Sequence, residues 1–248
     1  MQAARKCDLA GQLAEHLGEF APAHARVLGA ERLRALAAFG LERAGAHGYD
    51  RLGAVRFYLE CMVMFGSDFD SDPLCGLMGE QLRSDAADPD SLARADRLHA
   101  RVGAWLGALG GDWRAESQAL RKLAALAAHA GESARAGAAA PDAAEALARV
   151  QQLWPGKAAV GGSAACGVLV RHGFAIAGRQ GAAWRCAAPV YAGFMLVLGH
   201  GCFSDPQYPW LAEAVVQAGP AGPVAVLERL HEAAAAWLER LRQTGAED

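Results

Sequence analysis

The feature that most constrains this chain is that it matches itself. Shifted by 133 positions without a gap, Pro22 falls on Pro155, Val27 on Val160, Gly29 on Gly162, Leu36 on Leu169 and Gly40 on Gly173. The pair Ala44-Gly45 then falls on Ala177-Gly178, Gly48 on Gly181, Tyr58 on Tyr191, Met62 on Met195 and Gly66 on Gly199. Ser71-Asp72-Pro73 meets Ser204-Asp205-Pro206, and Glu80 meets Glu213. After one deletion the offset is 132, where Arg97-Leu98-His99 meets Arg229-Leu230-His231 and Ala104-Trp105-Leu106 meets Ala236-Trp237-Leu238. Rare residue types recurring in order at one offset are not the product of an alanine-rich composition. They point to an internal duplication, the first property to seek in a sequence. Each copy covers about 100 residues, roughly Ala10 to Gly110 and Ala143 to Arg242.

Within a copy the apolar period is helical. Leu33, Leu36, Gly40 and Ala44 recur at three to four residues, as do Leu52, Val55, Tyr58, Met62 and Gly66. No alternating run of β-branched residues marks a strand. The expected fold is therefore all-α: two tandem helical-bundle repeats, 1–111 and 142–248, joined by a connecting helix and linker over 112–141. In the first copy, helices are expected near 12–34, 51–65, 73–84 and 91–109. Gly40 and Gly173 each weaken a helix by about 1 kcal/mol against Ala, so they imply a close helix–helix approach.

Composition narrows the function classes. Of 248 residues, 53% are hydrophobic, enough for a core, and 24 basic against 27 acidic residues provide no basic surface for nucleic acid. The six cysteines form no CxxC pair and read as reduced, mostly buried thiols. The first twenty residues carry Asp, Glu and His where a secretory signal needs an apolar stretch, and no charge-free run reaches membrane-spanning length. The expected location is the cytoplasm, with no membrane partner.

The most conspicuous string is FGSDFDSDP, Phe65 to Pro73. Asp68, Asp70 and Asp72 imitate the start of a calcium loop, but the sixth position holds Pro73 and the twelfth Gly79, where an EF-hand needs Gly and Glu. The second copy keeps only Ser204-Asp205-Pro206. Asp before Pro is the signature of a helix start, since the carboxylate accepts backbone N–H groups and Pro has none to leave unpaired. Gly66 and Gly199, placed just after a helix, suit its C-cap. The shared element is thus a helix-stop, turn, helix-start corner, accompanied by an exposed acidic loop in the first copy. A metal-dependent enzyme built on Asp68, Asp70 and Asp72 is the rival reading.

Other candidates are weaker. His99 and His231, beside Trp105 and Trp237, read as packed core pairs. His200-Gly201-Cys202 faces Ser67-Asp68-Phe69 in the first copy, so no Cys-His pair is shared. GGSAACG, 161–167, is neither GxSxG nor a phosphate loop, because Gly156-Lys157 is followed by Ala158. Tyr58/Tyr191 and Met62/Met195 are simplest as core. In QYPW, Gln207 to Trp210, two large aromatics beside a corner serve either as contact anchors or as packing on the next helix.

The run LGAERLRALAAFGLERAGAHGYDRLGAVRFYLECMVMFGSDFDSDP, Leu28 to Pro73, resembles a group of small α-helical proteins encoded beside type VI secretion genes of proteobacteria. Their pattern carries LG-x-E-x-L-R, a tyrosine-glycine pair, and FG-x-DFD-x-DP-x-x-PW. Related helical tails occur on adaptors that load toxic effectors onto the secretion spike. The likeness extends more weakly over Val160 to Trp210, where DPQYPW supplies the Pro-Trp ending that DPLCGL lacks. This chain departs in His47-Gly48 and in HGCFSDP.

The resemblance implies partner binding without an active site, cofactor or metal: an immunity protein that occludes a cognate effector, or else an effector chaperone. Asp68 and Asp70, with Phe69, Tyr208 and Trp210, are the residues expected at the contact. Rim charges of that kind set association rate, while buried anchors supply affinity.

Overall fold

The computed structural model describes residues 2–110 and 114–245, with side chains described over 9–110 and 115–245. It is all-α among these residues. The N-terminal half contains α1 (Gln2–Phe20), α2 (Pro22–Leu28), α3 (Ala30–Ala46), α4 (Leu52–Phe65), α5 (Gly76–Ser84) and α6 (Ser91–Leu109). Next comes α7 (Arg114–Arg135). The C-terminal half contains α8 (Ala143–Leu153), α9 (Pro155–Gly161), α10 (Ser163–Gln180), α11 (Ala188–Leu198), α12 (Pro209–Ala218) and α13 (Pro223–Gly245). Short 3-10 turns occupy Pro73–Cys75, Ala182–Ala187 and Gly219–Ala221.

The helix expected over 12–34 is three helices. Pro22 pushes Ala21 out of the helical region (ψ 68°), and Gly29 turns the chain again at φ 81°. Trp154 before Pro155 (ψ 81°) and Gly162 (φ 85°) make the same two breaks around α9. The connecting helix ends at Arg135, inside the 112–141 segment expected to hold it and its linker, and residues 112 and 113 lie outside the described residues.

Two apolar cores result. Leu13, Leu17, Leu36, Tyr58, Met62 and Leu98 are buried in the first. The second gathers around α11, every residue of which is buried. The difference between α4 and α11 traces to α7, which lies along α13 and α11 and covers the side that α4 leaves to solvent. Accordingly α4 carries Arg56 and Glu60, whereas α11 is apolar all round, as a helix covered on every side must be. Each fully buried Leu or Phe stabilises the fold by about 1.5–3 kcal/mol.

Small residues set the close approaches. A Cβ on Gly40 would meet Leu59 at 2.7 Å, one on Gly173 would overlap the Ala188 carbonyl, and one on Gly193 would meet Leu123 at 2.6 Å and Leu153 at 2.8 Å. The halves interlock through helices as well: α2 packs on α13, and α9 packs on α6. Cys61, Cys75, Cys166 and Cys202 are buried and Cys186 half-buried, all as free thiols, while the Cys7 side chain lies outside the described residues. No single helix among the described residues is long and apolar enough to cross a membrane, although α9 and α10, bent by 106°, together have the length and composition to do so.

Candidate functional site

The two Gly-to-Pro corners meet at the junction of the halves. Helix α4 ends at Gly66 (φ 96°) and α11 at Gly199 (φ 101°), conformations that side chains disfavour. They also touch. A Cβ on Gly66 would lie 2.6 Å from the Leu198 carbonyl oxygen, and one on Gly199 would lie 2.7 Å from that of Phe65. Glycine is therefore required twice over, by φ and by the contact.

Each Ser-Asp-Pro aspartate then works in two directions. Asp72 Oδ1 accepts the Leu74 N–H at 2.8 Å, capping its own turn, while Oδ2 accepts the His200 N–H across the junction at 2.8 Å. Asp205 Oδ1 accepts the Gln207 N–H at 2.9 Å, and Oδ2 accepts the Ser67 N–H at 2.7 Å. Ser67 Oγ donates to Asp205 Oδ1 at 2.7 Å, and Gln207 Nε2 donates to the Met62 carbonyl at 2.8 Å. Asp72 heads a 3-10 turn, with α5 beginning only at Gly76, and in the other half α12 begins at Pro209. The expectation of an aspartate directly heading an α-helix is corrected accordingly. Burial raises the Asp205 carboxyl, with the bonds from Ser67 and Gln207 opposing it. The Asp72 carboxylate raises the His200 imidazole against burial.

The acidic loop is not an exposed rim. Asp70 accepts from Arg43 at 2.5 Å, His47 at 2.7 Å and Tyr58 at 2.9 Å, and its side chain is 8% exposed. Asp68 pairs with Arg43 at 2.7 Å. Burial alone would raise the Asp70 carboxyl, but the His47 bond and the Arg43 charge outweigh it and bring it down to about 2. The three acids also diverge: Asp68 and Asp70 turn to Arg43, whereas Asp72 turns to the other half. No group of three or more His, Cys, Asp or Glu side chains among the described residues converges as a metal would require.

Arg43 and His47 complete this cluster, although neither stands out in the sequence as a candidate. A signal is nonetheless present. In the C-terminal half the positions 133 residues on are Ile176, Gln180, Gly201 and Phe203, so arginine, histidine and both aspartates have no equivalent at that offset. There Phe203 packs edge-on against Tyr191 at 5.3 Å, where the N-terminal half has the bond between Asp70 and Tyr58. Gly201 faces Asp68, and any Cβ at 201 would overlap the Asp68 carboxylate.

The aromatic candidates are interior. Phe69 is 0% exposed, Tyr208 5% and Trp210 7%, so the expectation that they project as contact anchors is corrected. Phe69 packs on Tyr58 and Phe65, Trp210 on Phe194 and Trp237, and Tyr208 on His24 and Trp237. His99 is exposed against Phe57, and His231 bonds the Ala124 carbonyl at 2.9 Å.

Beside this junction opens a cavity of about 550 Å³, formed by the α1–α2 break, the end of α4, the start of α7 and the end of α13. Its walls include Phe20, Met64, Leu238 and Leu241, with His24, Glu116 and Tyr208 as ionisable groups. Burial lowers His24 to about 4, partly offset by nearby Gln207, and burial raises Glu116.

Comparison with family models, with characterised proteins and with solved structures finds no match.

Proposed function

We propose that the chain is two copies of one helical module, clasped through their Gly-to-Pro corners, and that it binds a protein partner: a type VI secretion effector that it neutralises by occlusion in the cytoplasm. The observation that carries this reading is how the polar groups are used. The three carboxylates that a catalyst on this loop or corner would present are engaged: Asp70 by Arg43, His47 and Tyr58, and Asp72 and Asp205 by backbone N–H groups. Among the open surfaces is a concave, mostly apolar one, the 550 Å³ cavity between the halves. Concave apolar surface with a few polar groups is the usual form of a binding site.

The experiment is co-expression of the effector encoded beside this chain, with and without it. Restored growth supports immunity. Loss of effector level or secretion without any relief of toxicity supports the chaperone role instead. An effector that neither binds nor changes in either assay refutes both. The metal-dependent enzyme on Asp68, Asp70 and Asp72 predicts a rise in melting temperature with millimolar calcium, magnesium or zinc, because a ligand that binds only the folded state stabilises it by mass action.

A further inference from the structure

The two crossings at the junction differ in one chemical respect. Ser67 and His200 each follow the glycine that ends a helix, and each gives its backbone N–H to the aspartate of the other half, Asp205 at 2.7 Å and Asp72 at 2.8 Å. Ser67 adds its side chain: Oγ donates to Asp205 Oδ1 at 2.7 Å, and a hydroxyl keeps its proton at every physiological pH. His200 brings an imidazole to the corresponding place. Its Nδ1 lies 3.7 Å from Asp72 Oδ2, buried and without a hydrogen-bond partner. The Asp72 side chain is 2% exposed, and His200 is the only basic side chain paired with it among the described residues. A carboxylate buried to that degree gains most from a charged neighbour.

We propose that the junction is a pH-sensitive clasp with His200 as its sensor: the imidazolium closes the Asp72 crossing with a charge and an N–H, and the neutral ring, which offers Nδ1–H in only one tautomer, leaves it looser. Ser67 gives the Asp205 crossing no such dependence. The surrounding charges favour the protonated ring. Asp68 and Asp70 add to the negative field, with Arg43 and His47 facing those two acids from α3. Lys157 of α9 is engaged with the Val197 carbonyl, and Asp205, on the same corner as His200, with Ser67. The Asp72 carboxylate, acting against burial and helped by Asp68 and Asp70, raises the imidazole above its ordinary 6.5. The stabilisation is therefore fully present below pH 6.5 and is lost as pH rises through the raised folded value, opposite in sign to the acid-side loss at His24. This goes beyond the partner reading: it rests on the clasped corners, and an effector that fails to bind leaves it unchanged.

The test uses the full chain. The His200 ring is titrated by NMR, and amide protection at Ser67, corrected for the intrinsic exchange rate, is measured between pH 6 and 8 in the wild type and in two variants. His200→Gln keeps the backbone N–H on Asp72 and removes the titrating ring, and His200→Ser installs the permanent hydroxyl that Ser67 offers to Asp205. The ring is expected to titrate above 6.5. The ratio of wild-type to variant protection should fall by about threefold or more from pH 6 to 8, for either variant. Other titrating groups are common to all three proteins and cancel in that ratio. A ring that titrates at or below 6.5, or a ratio that does not change with pH, overturns the proposal.

Discussion

The carboxylate of Asp205 accepts the backbone N–H of Ser67 at 2.7 Å, from 138 residues away in the chain. Asp72 returns the same bond to His200 at 2.8 Å. Each aspartate thus satisfies one N–H of its own turn and one of the other half, and an N–H left without its acceptor at this buried junction would lose most of a charge-assisted hydrogen bond.

Asp205→Ala and Asp72→Ala should each destabilise the fold by about 2–4 kcal/mol, through loss of these bonds and the orphaned donors they leave. Chemical denaturation measures this. A cost below about 0.5 kcal/mol for either would mean that the crossing bonds do not hold the halves together.

Gly201→Ala should cost about 1–3 kcal/mol, because the added methyl overlaps the Asp68 carboxylate that Arg43 holds in place. Adding Asp68→Ala should recover most of that loss relative to Asp68→Ala alone. Additive costs in the double mutant would contradict the contact between these two positions.

Asp70→Asn should cost roughly 2–4 kcal/mol at neutral pH, since it removes the charge that Arg43 faces in a partly buried site. The folded Asp70 carboxyl is lowered to about 2 from an ordinary 3.8, so its stabilisation is present above pH 3.8 and is lost as pH falls through 2. The wild type should lose its advantage over Asp70→Asn across that window, as tracked by denaturation at stepped pH.

His24 predicts a second pH window. Its folded value of about 4 lies below the ordinary 6.5, so the unfolded chain takes up the proton first on acidification. The stabilisation from the neutral ring is present above pH 6.5 and is lost as pH falls from there to 4. At about 1.36 kcal/mol per pKa unit, this amounts to at most about 3 kcal/mol. His24→Gln should flatten the stability profile between pH 6.5 and 4, and an unchanged slope would place His24 in contact with solvent.

Much of this architecture is written in the sequence as helical periodicity: α4, α6 and α12 carry apolar residues at three- to four-residue spacing. The breaks at Ala21-Pro22 and Gly29 are legible from proline and glycine chemistry but lie inside a continuous apolar period, which favours one long helix. The site is less legible, for a definite reason. Asp68, Asp70, Tyr208 and Trp210 look exposed when read beside their sequence neighbours. Their partners Arg43, His47, His24 and Trp237 come from other helices, and His24 reaches Tyr208 from the opposite half. Burial by residues from other helices is a tertiary property. For the acidic pair, its one trace in the chain is that the positions 133 residues beyond Arg43, His47, Asp68 and Asp70 hold Ile176, Gln180, Gly201 and Phe203, none of them charged.

Amide hydrogen exchange at Ser67 and His200 tests most directly whether the two corners clasp each other. Both amides are expected to be protected in the wild type. Asp205→Asn should selectively speed exchange at Ser67, and Asp72→Asn at His200, with the helix interiors of α4 and α11 unchanged. Rapid exchange at both amides in the wild type, or protection indifferent to either aspartate, would contradict it.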